Sequence, residues 1–202
     1  MKKKNVQYTT PTGTASWPRL NEPDTKFNKD GVYHVSLRLT QADSKEIKDM
    51  MSDMLAAHAE KVQEEKRGKI KIADLPIKDV YDDDNNPTGD VEIKFKMNAI
   101  GQNGGDRWEQ RPALFDSKGK PMNENIGSGS KIRVAAEIIP YYTAAVGAGI
   151  SLRLKAVQVI ELVEYSKAGS FDAWKFSEED GFVTEGAATT SSEETSDSDF
   201  DF

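Results

Sequence analysis

Two histidines and one run of aspartates are the first residues to consider for chemistry. His34 and His58 stand far apart, and neither lies in a nucleophile or metalloprotease motif; the chain has no cysteine. Asp82, Asp83 and Asp84 could bind a divalent cation, but their neighbours Asn-Asn-Pro-Thr-Gly predict a solvated turn rather than the site of a metal-dependent nuclease. We therefore expect no catalytic residue, no metal and no cofactor, and the sequence predicts a binding protein and not an enzyme.

Basic and aromatic residues recur on the predicted strands. Lys94 and Lys96 occupy alternate positions of one strand, so their side chains share a face. The other candidates stand on neighbouring segments: Arg107, Trp108, Lys131, Arg133, Tyr141, Tyr142 and Arg153. Such residues around one groove would bind single-stranded nucleic acid, because the cations neutralise phosphates and the rings stack on bases. The alternative is a sheet face whose charges only keep it hydrated.

The chain ends in an acidic segment that contains two phenylalanines. From residue 177 onward there are nine acidic residues and no lysine or arginine. Asp197, Asp199 and Asp201 alternate with other residues, so an extended chain spaces their carboxylates about 7 Å apart. This spacing imitates a nucleic-acid backbone and could compete for a cationic groove. Phe200 and Phe202 would anchor the segment in a pocket on a partner protein, which a purely solubilising tail does not explain.

Composition divides the chain into three segments. Removing the nine tail charges from the net charge of −7 leaves residues 1–176 at about +2. We expect a flexible basic start over 1–13 that includes Lys3, a folded domain over 14–176, and a largely disordered acidic tail over 177–202. No stretch approaches the ~20 apolar residues of a membrane span, and the start lacks the apolar part of a signal peptide. The sequence thus predicts a soluble intracellular protein without a membrane partner.

The periodicity of apolar residues predicts five or six strands and one helix. Alternation marks the strand segments, which are 14–20, 32–39, 91–100, 107–116, 131–142 and 150–165. The helix is expected over about 43–67, with Thr40 or Asp43 at its start and Gly68 at its end. A short apolar segment, IADLPI, follows the helix, and the composition of residues 79–90, DVYDDDNNPTGD, predicts a loop before residue 91. A mainly β chain with one inserted helix favours a five-stranded oligonucleotide/oligosaccharide-binding (OB) barrel.

Several segments in this order resemble the replicative single-stranded DNA-binding proteins of short-tailed bacteriophages. The matching segments are GVYHVSL, IKFKMNA, DSKGKPM, GSGSKIRV, PYYTAAVGAGISLRLKAVQVIELV and DAWKFSEEDGFVTEG, followed by an acidic tail that ends in Phe. The resemblance covers residues 31–202. It implies an OB-fold core that coats single-stranded DNA during phage replication and recombination, in the cytoplasm of the infected bacterial host.

The resemblance also implies roles for individual residues and segments. Lys94, Lys96 and Arg133 match DNA-contacting basic residues of the family, Tyr141 matches a stacking tyrosine, and the cluster around Lys3 matches a basic N-terminus. The acidic tail is implied to contact the phage polymerase and helicase-primase, to compete with DNA and to support a possible homodimer.

The chain departs from the family pattern at Asp30, Ala135 and Thr143, where relatives carry a basic residue, a lysine and a tryptophan, and these departures bear on the number of DNA contacts.

A second function class stays open. In a protein–protein interaction adaptor, the barrel would recognise a protein and the tail would only solubilise it. Reversing the charge of Lys94 and Lys96 distinguishes the two, because an adaptor would be indifferent to the change.

Overall fold

The structure, a computed structural model, describes residues 5–164. This part of the chain holds one helix and ten strands. The strands are β1 Val6–Thr9, β2 Gly13–Asp24, β3 Val32–Thr40, β4 Ile77–Tyr81, β5 Pro87–Asn98, β6 Ile100–Asn103, β7 Asp106–Glu109, β8 Ala113–Phe115, β9 Lys131–Thr143 and β10 Gly147–Glu161. The helix is α1, Gln41–Lys66. Within residues 5–164, no helix combines the length and the apolar character that crossing a membrane requires.

Five strands pair in a ring and form the OB-like barrel that the sequence predicts. The strand β3 pairs antiparallel with both β2 and β5, β9 pairs antiparallel with both β2 and β10, and β10 joins β5 in parallel at a single registered pair, Arg153 with Lys96. The mainly β architecture with one inserted helix is therefore confirmed. These five strands also carry the clearest apolar alternation: on β5, for example, Ile93 and Phe95 are fully buried while Lys94 between them is exposed.

The inserted helix α1 lies between β3 and β4 in the chain and covers the barrel core. The hydroxyl of Thr40 accepts a hydrogen bond from the Asp43 backbone N–H at 3.1 Å, as expected of an N-cap. Ile47 and Met51 are fully buried on the face that packs against the barrel. The helix ends at Lys66, and its left-handed cap is Arg67, one residue before the predicted Gly68. Arg67 has a φ of 51°, and its N–H donates to the carbonyl of Glu64 at 3.3 Å. This bond offsets the steric cost that a non-glycine residue has there.

Several local expectations were wrong, each because pairing partners overrode local composition. Residues 6–9, expected to be flexible, form β1, since Val6–Thr9 pair antiparallel with the middle of β9, from Ala135 to Ile138. The loop expected before residue 91 contains the end of β4, which pairs with β5. The single strand expected over 107–116 is two short strands, β7 and β8, separated at Pro112, which lacks an N–H for pairing.

The strand β2 carries the bulge that its Trp-Pro pair allows. The register between β2 and β3 shifts between Ser16 and Arg19, and Trp17 takes a positive φ of 49°. The strand then continues to Asp24, four residues beyond the predicted end at Leu20. Its extension carries the chain across the end of the barrel to the connection that leads into β3.

Candidate nucleic-acid interface

A groove of about 900 Å³ lies on the outer face of β3 and β5, and Lys94, Lys96 and Tyr141 all line it. We call it the β3–β5 groove. In OB barrels, oligonucleotides bind on the face of the second and third barrel strands, between the loop that joins strands 1 and 2 and the loop that joins strands 4 and 5. Here the second and third strands are β3 and β5. Phe27 and Asn28, from the β2–β3 connection, and Thr143, from the end of β9, complete the lining at the positions of those two loops.

The two lysines of the groove point outward because their neighbours point inward. Ile93, Phe95 and Met97 are buried in the core, so Lys94 and Lys96 must stand on the opposite face of β5. Across the pairing with β3, Lys94 lies opposite Ser36 and Lys96 lies opposite His34. Within residues 5–164, neither lysine takes part in an ion pair, so both ammonium groups are available to an anion.

Tyr141 lies flat against a glycine of the neighbouring strand. Gly149 on β10 is the cross-strand partner of Tyr141, and a Cβ at Gly149 would come within 2.5 Å of the tyrosine Cζ and hydroxyl oxygen. The absence of that Cβ is what allows the ring to lie over the strand.

Tyr142, also predicted to stack on bases, lies on the other face of β9. It packs against the hydrophobic core, and the Nζ of Lys66 lies 5.5 Å from the centre of its ring. Adjacent residues of a strand point to opposite faces, so only one of the two tyrosines could reach the groove.

Arg153 stands beside the groove and is engaged by a carboxylate. It is registered opposite Lys96, and its guanidinium lies 3.6 Å from Glu137, which also pairs with Lys155 at 3.8 Å. The arginine is about half exposed. An incoming phosphate would therefore compete with Glu137 for this cation.

Arg133 and Lys131 lie at the other end of β9 and do not line the β3–β5 groove. Arg133 lines a separate cavity of about 380 Å³ together with Phe115 and Ala135, and its Nε donates to the carbonyl of Thr10 at 3.2 Å. The ammonium group of Lys131 donates to the hydroxyl of Thr14 at 2.8 Å. Both residues follow the same alternation as Tyr141, but eight or more positions along a strand separate them from it, which is about 26 Å at the least.

Arg107 and Trp108 lie on the β6–β7 hairpin that continues from β5. The Arg107 guanidinium forms an ion pair of 2.8 Å with Asp30 in the β2–β3 connection. Trp108 is 46% exposed and lies over Gly101, its cross-strand partner, in the same way as Tyr141 lies over Gly149. Neither residue lines the groove.

The β3–β5 groove also contains His34, which the sequence analysis did not select. Its Nε2 lies 3.6 Å from the carboxylate of Asp24. Burial lowers the pKa of His34 below its ordinary value of 6.5, and the charge of Lys94 lowers it further, while Asp24 partly opposes the shift. The pKa of Asp24 is itself lowered, chiefly by the hydrogen bond that its carboxylate accepts from the Lys26 backbone N–H.

Other groove residues carried little signal in the sequence. Phe27 stands in a turn-rich stretch without periodicity, and Ser151 is an ordinary residue of a predicted strand. The alternation of VYHVSLRL does place His34 on the outer face of β3, opposite the buried side chains. That face assignment, combined with the pairing of β3 and β5, is the one signal that could have found it.

The remaining predicted sites are a turn and two segments outside the described residues. Asp82 organises the β4–β5 turn, where its carboxylate accepts from the backbone N–H groups of Asp84 and Asn86 at 3.1 and 2.7 Å. Over residues 5–164, no group of three or more metal-ligating side chains converges. Lys3 and the tail residues Asp197, Asp199, Phe200, Asp201 and Phe202 lie outside the described residues.

Comparison with known proteins gives a consistent result. Residues 12–162 match the family model of the single-stranded DNA-binding protein of bacteriophage T7. The chain is 32% identical to the single-stranded DNA-binding protein of Enterobacteria phage T3, over 95% of this chain and 90% of that one, and 32% identical to that of Escherichia phage T7, over 81% and 76%.

Solved structures agree with the family match. The crystal structure of gp2.5, the single-stranded DNA-binding protein of bacteriophage T7, matches with a TM-score of 0.67 and 29% identity, over 90% of this chain and all of the other. The single-stranded DNA-binding protein of bacteriophage Enc34, solved in complex with single-stranded DNA, shares the fold with a TM-score of 0.56 and 18% identity, over 78% and 88%. These relatives are binding proteins and not enzymes. The chain belongs to the family of the bacteriophage T7 single-stranded DNA-binding protein.

Proposed function

We propose that this protein binds and coats single-stranded DNA in the β3–β5 groove, largely without regard to sequence, during phage DNA replication and recombination in the cytoplasm of the infected host. The observation that carries the proposal is the convergence of Lys94, Lys96 and Tyr141 on one groove of an OB-like barrel, between the two loops that such barrels use for oligonucleotides. Its relatives, which share the family, are named as single-stranded DNA-binding proteins.

The groove offers the two interactions that single-stranded DNA needs. The ammonium groups of Lys94 and Lys96 neutralise phosphates, and the exposed face of the Tyr141 ring stacks on a base. Stacking accepts any base, because every base has an aromatic face, and a lysine does not read base edges when it contacts a phosphate. Low sequence preference follows from this chemistry.

The test is a titration of fluorescently labelled oligo-dT by anisotropy over a series of salt concentrations. The slope of log K against log salt is about −0.7 per neutralised phosphate on single strands. The double substitution Lys94→Glu with Lys96→Glu should weaken binding strongly and make the slope shallower by about 1.4, since two contacts are lost. Lys48→Glu with Lys61→Glu is the matched control, because both lysines are exposed on α1 and the change in net charge is the same.

The results distinguish DNA binding in the groove from the alternative function, a protein–protein interaction adaptor. A salt-independent affinity for oligo-dT, or equal loss in the groove variant and the α1 variant, would contradict binding in the groove. If the wild-type protein did not bind oligo-dT at all, the barrel would be an interaction module for another protein.

We further propose that the tail over 177–202 recruits replication proteins, such as a phage polymerase and helicase-primase, and competes with DNA for the groove. The acidic composition of the tail and the net positive charge of residues 1–176 support the competition. Phe200 and Phe202 would supply the apolar anchors for the partner. Exchange of the tail between two copies of the chain would produce a homodimer, which sedimentation of the full-length and truncated proteins would detect.

A further inference from the structure

We infer that Phe27 is a second base-stacking residue of the β3–β5 groove, in addition to Tyr141. The inference rests on the proposed function, since it adds a contact to the same site. Phe27 is 91% exposed, the highest value among the large hydrophobic side chains of residues 5–164. Burying a phenylalanine side chain stabilises a fold, so the fold gains nothing from leaving Phe27 in water.

The location of Phe27 distinguishes it from the other exposed aromatic residues. It lines the groove together with Lys94, Lys96 and Tyr141, whereas Trp17, which is 78% exposed, and Trp108 do not. Phe27 comes from the β2–β3 connection, while Tyr141 lies near the end of β9, before the turn into β10. One ring therefore comes from a loop that flanks the nucleic-acid face of an OB barrel, and the other comes from the strand end that leads into the second such loop.

Hydrogen bonds on both sides of Phe27 hold the connection in place. The Lys26 backbone N–H donates to the Asp24 carboxylate at 2.9 Å. On the other side, the Asn28 side chain accepts from the Asp30 N–H at 3.0 Å, and the Asn28 carbonyl accepts from the Gly31 N–H at 2.8 Å. The loop is thus organised before any ligand arrives, which lowers the entropy that base stacking would otherwise cost.

The environment of the ring suits a nucleotide. The Nζ of Lys26 lies 5.4 Å from the centre of the Phe27 ring, within the range of a cation–π contact. A base stacked on the ring brings its own phosphate close to this ammonium group, so the pair Lys26–Phe27 offers a charge and an aromatic face together. A partner protein would need a surface shaped to a single ring, whereas a nucleobase already has the required flat shape.

Phe27→Ala is the variant that tests the inference, with Phe27→Trp as the conservative replacement and Trp17→Ala as the exposed aromatic control. Oligo-dT affinity should fall about 5- to 150-fold in Phe27→Ala, which is the range for one stacked base, and Phe27→Trp should restore it. The salt slope should stay at the wild-type value, because no phosphate contact is lost. The thermal unfolding midpoint should not change, since the side chain is exposed.

An oligomer of abasic deoxyribose phosphates separates stacking from other effects. Wild type and Phe27→Ala should bind this probe equally, because it has phosphates but no bases. If Phe27→Ala kept wild-type affinity for oligo-dT while the Lys94 and Lys96 double variant lost it, the inference would be wrong and the proposed function would stand. If the wild type did not bind oligo-dT, both would fail. A loss that Phe27→Ala showed equally on the abasic probe would also overturn stacking.

Discussion

The lysines of the groove owe their positions to the apolar residues beside them. Ile93 and Phe95 are fully buried, and turning Lys94 or Lys96 inward would expose these two apolar side chains to water. A one-residue slip of β5 would turn the charged side chains of its outer face, Lys94 and Lys96 among them, towards the core and would expose the buried apolar side chains. The charge of the groove is therefore fixed by the core.

We expect His34 to make the groove sensitive to pH. Burial and the neighbouring Lys94 lower its pKa, so the imidazole is neutral near pH 7. A phosphate in the groove favours the charged form, because it places a negative charge near the imidazole. By linkage, DNA binding should therefore take up a proton at mildly acidic pH.

We predict opposite effects of acid on stability and on DNA binding through His34. Because its pKa is lower in the folded state, its contribution to the free energy of unfolding is present above pH 6.5 and is lost as the pH falls through the folded pKa. Between pH 7.5 and 5.5 the wild type should lose more stability than His34→Gln. Over the same range, its affinity for oligo-dT should rise severalfold relative to that variant. Denaturant unfolding and anisotropy at each pH measure the two effects, and identical pH profiles for both proteins would contradict the role of His34.

At the scale of elements, the pairing of β9 with β10 decides which of the two tyrosine rings lies in the β3–β5 groove. Their antiparallel register places Gly149 under Tyr141, and alternation along β9 turns Tyr142 towards Lys66 of α1. The same strand carries Arg133 and Tyr141 on one face but at distant positions. A face shared along one strand therefore does not imply a shared site.

We predict that Gly149→Ala weakens DNA binding with little effect on stability. The new methyl group would displace the tyrosine ring, which is the mobile end of a side chain, while alanine at a position without positive φ reduces the entropy of the unfolded chain. The unfolding free energy should change by less than about 1 kcal/mol, and oligo-dT affinity should fall severalfold.

A double-mutant cycle with Tyr141→Ala provides the control for Gly149. If Gly149 acts through the ring, adding Gly149→Ala to Tyr141→Ala should change affinity no further. Additive losses of affinity would show that the glycine acts in another way.

At the scale of the whole molecule, charge is segregated along the chain. The net charge of −7 is the sum of about +2 on residues 1–176, the body, and −9 on the acidic tail from residue 177 onward. The overall charge would argue against a nucleic-acid ligand, whereas the distribution agrees with one. The proposed competition between tail and DNA depends on this segregation.

We predict that deleting residues 187–202 tightens binding to oligo-dT at low salt and abolishes binding to a phage polymerase. The gain should disappear at high salt, where the competition is screened. Two full-length variants distinguish the roles of the tail. Replacing its Asp and Glu residues by Asn and Gln should reproduce the tighter binding to oligo-dT. Phe200→Ala with Phe202→Ala should abolish only the binding to the polymerase. Weaker DNA binding after truncation would contradict self-competition.

The amino-acid sequence alone is enough to predict the five barrel strands, the inserted helix and the outward direction of Lys94 and Lys96, because the periodicity of its apolar residues shows which side chains are buried away from water. It also determined the charge difference between body and tail. Tertiary contacts were needed to show that Tyr141 lines the same groove as the two lysines and that His34 and Phe27 line it as well. Other predicted residues do not line the groove, among them Arg133, Lys131, Arg107 and Trp108. Alternation shows only which face of its own strand a residue occupies. A site also depends on strand register, on the pairing that closes the barrel and on the course of the connections. These features are set by contacts between residues that are far apart in the chain.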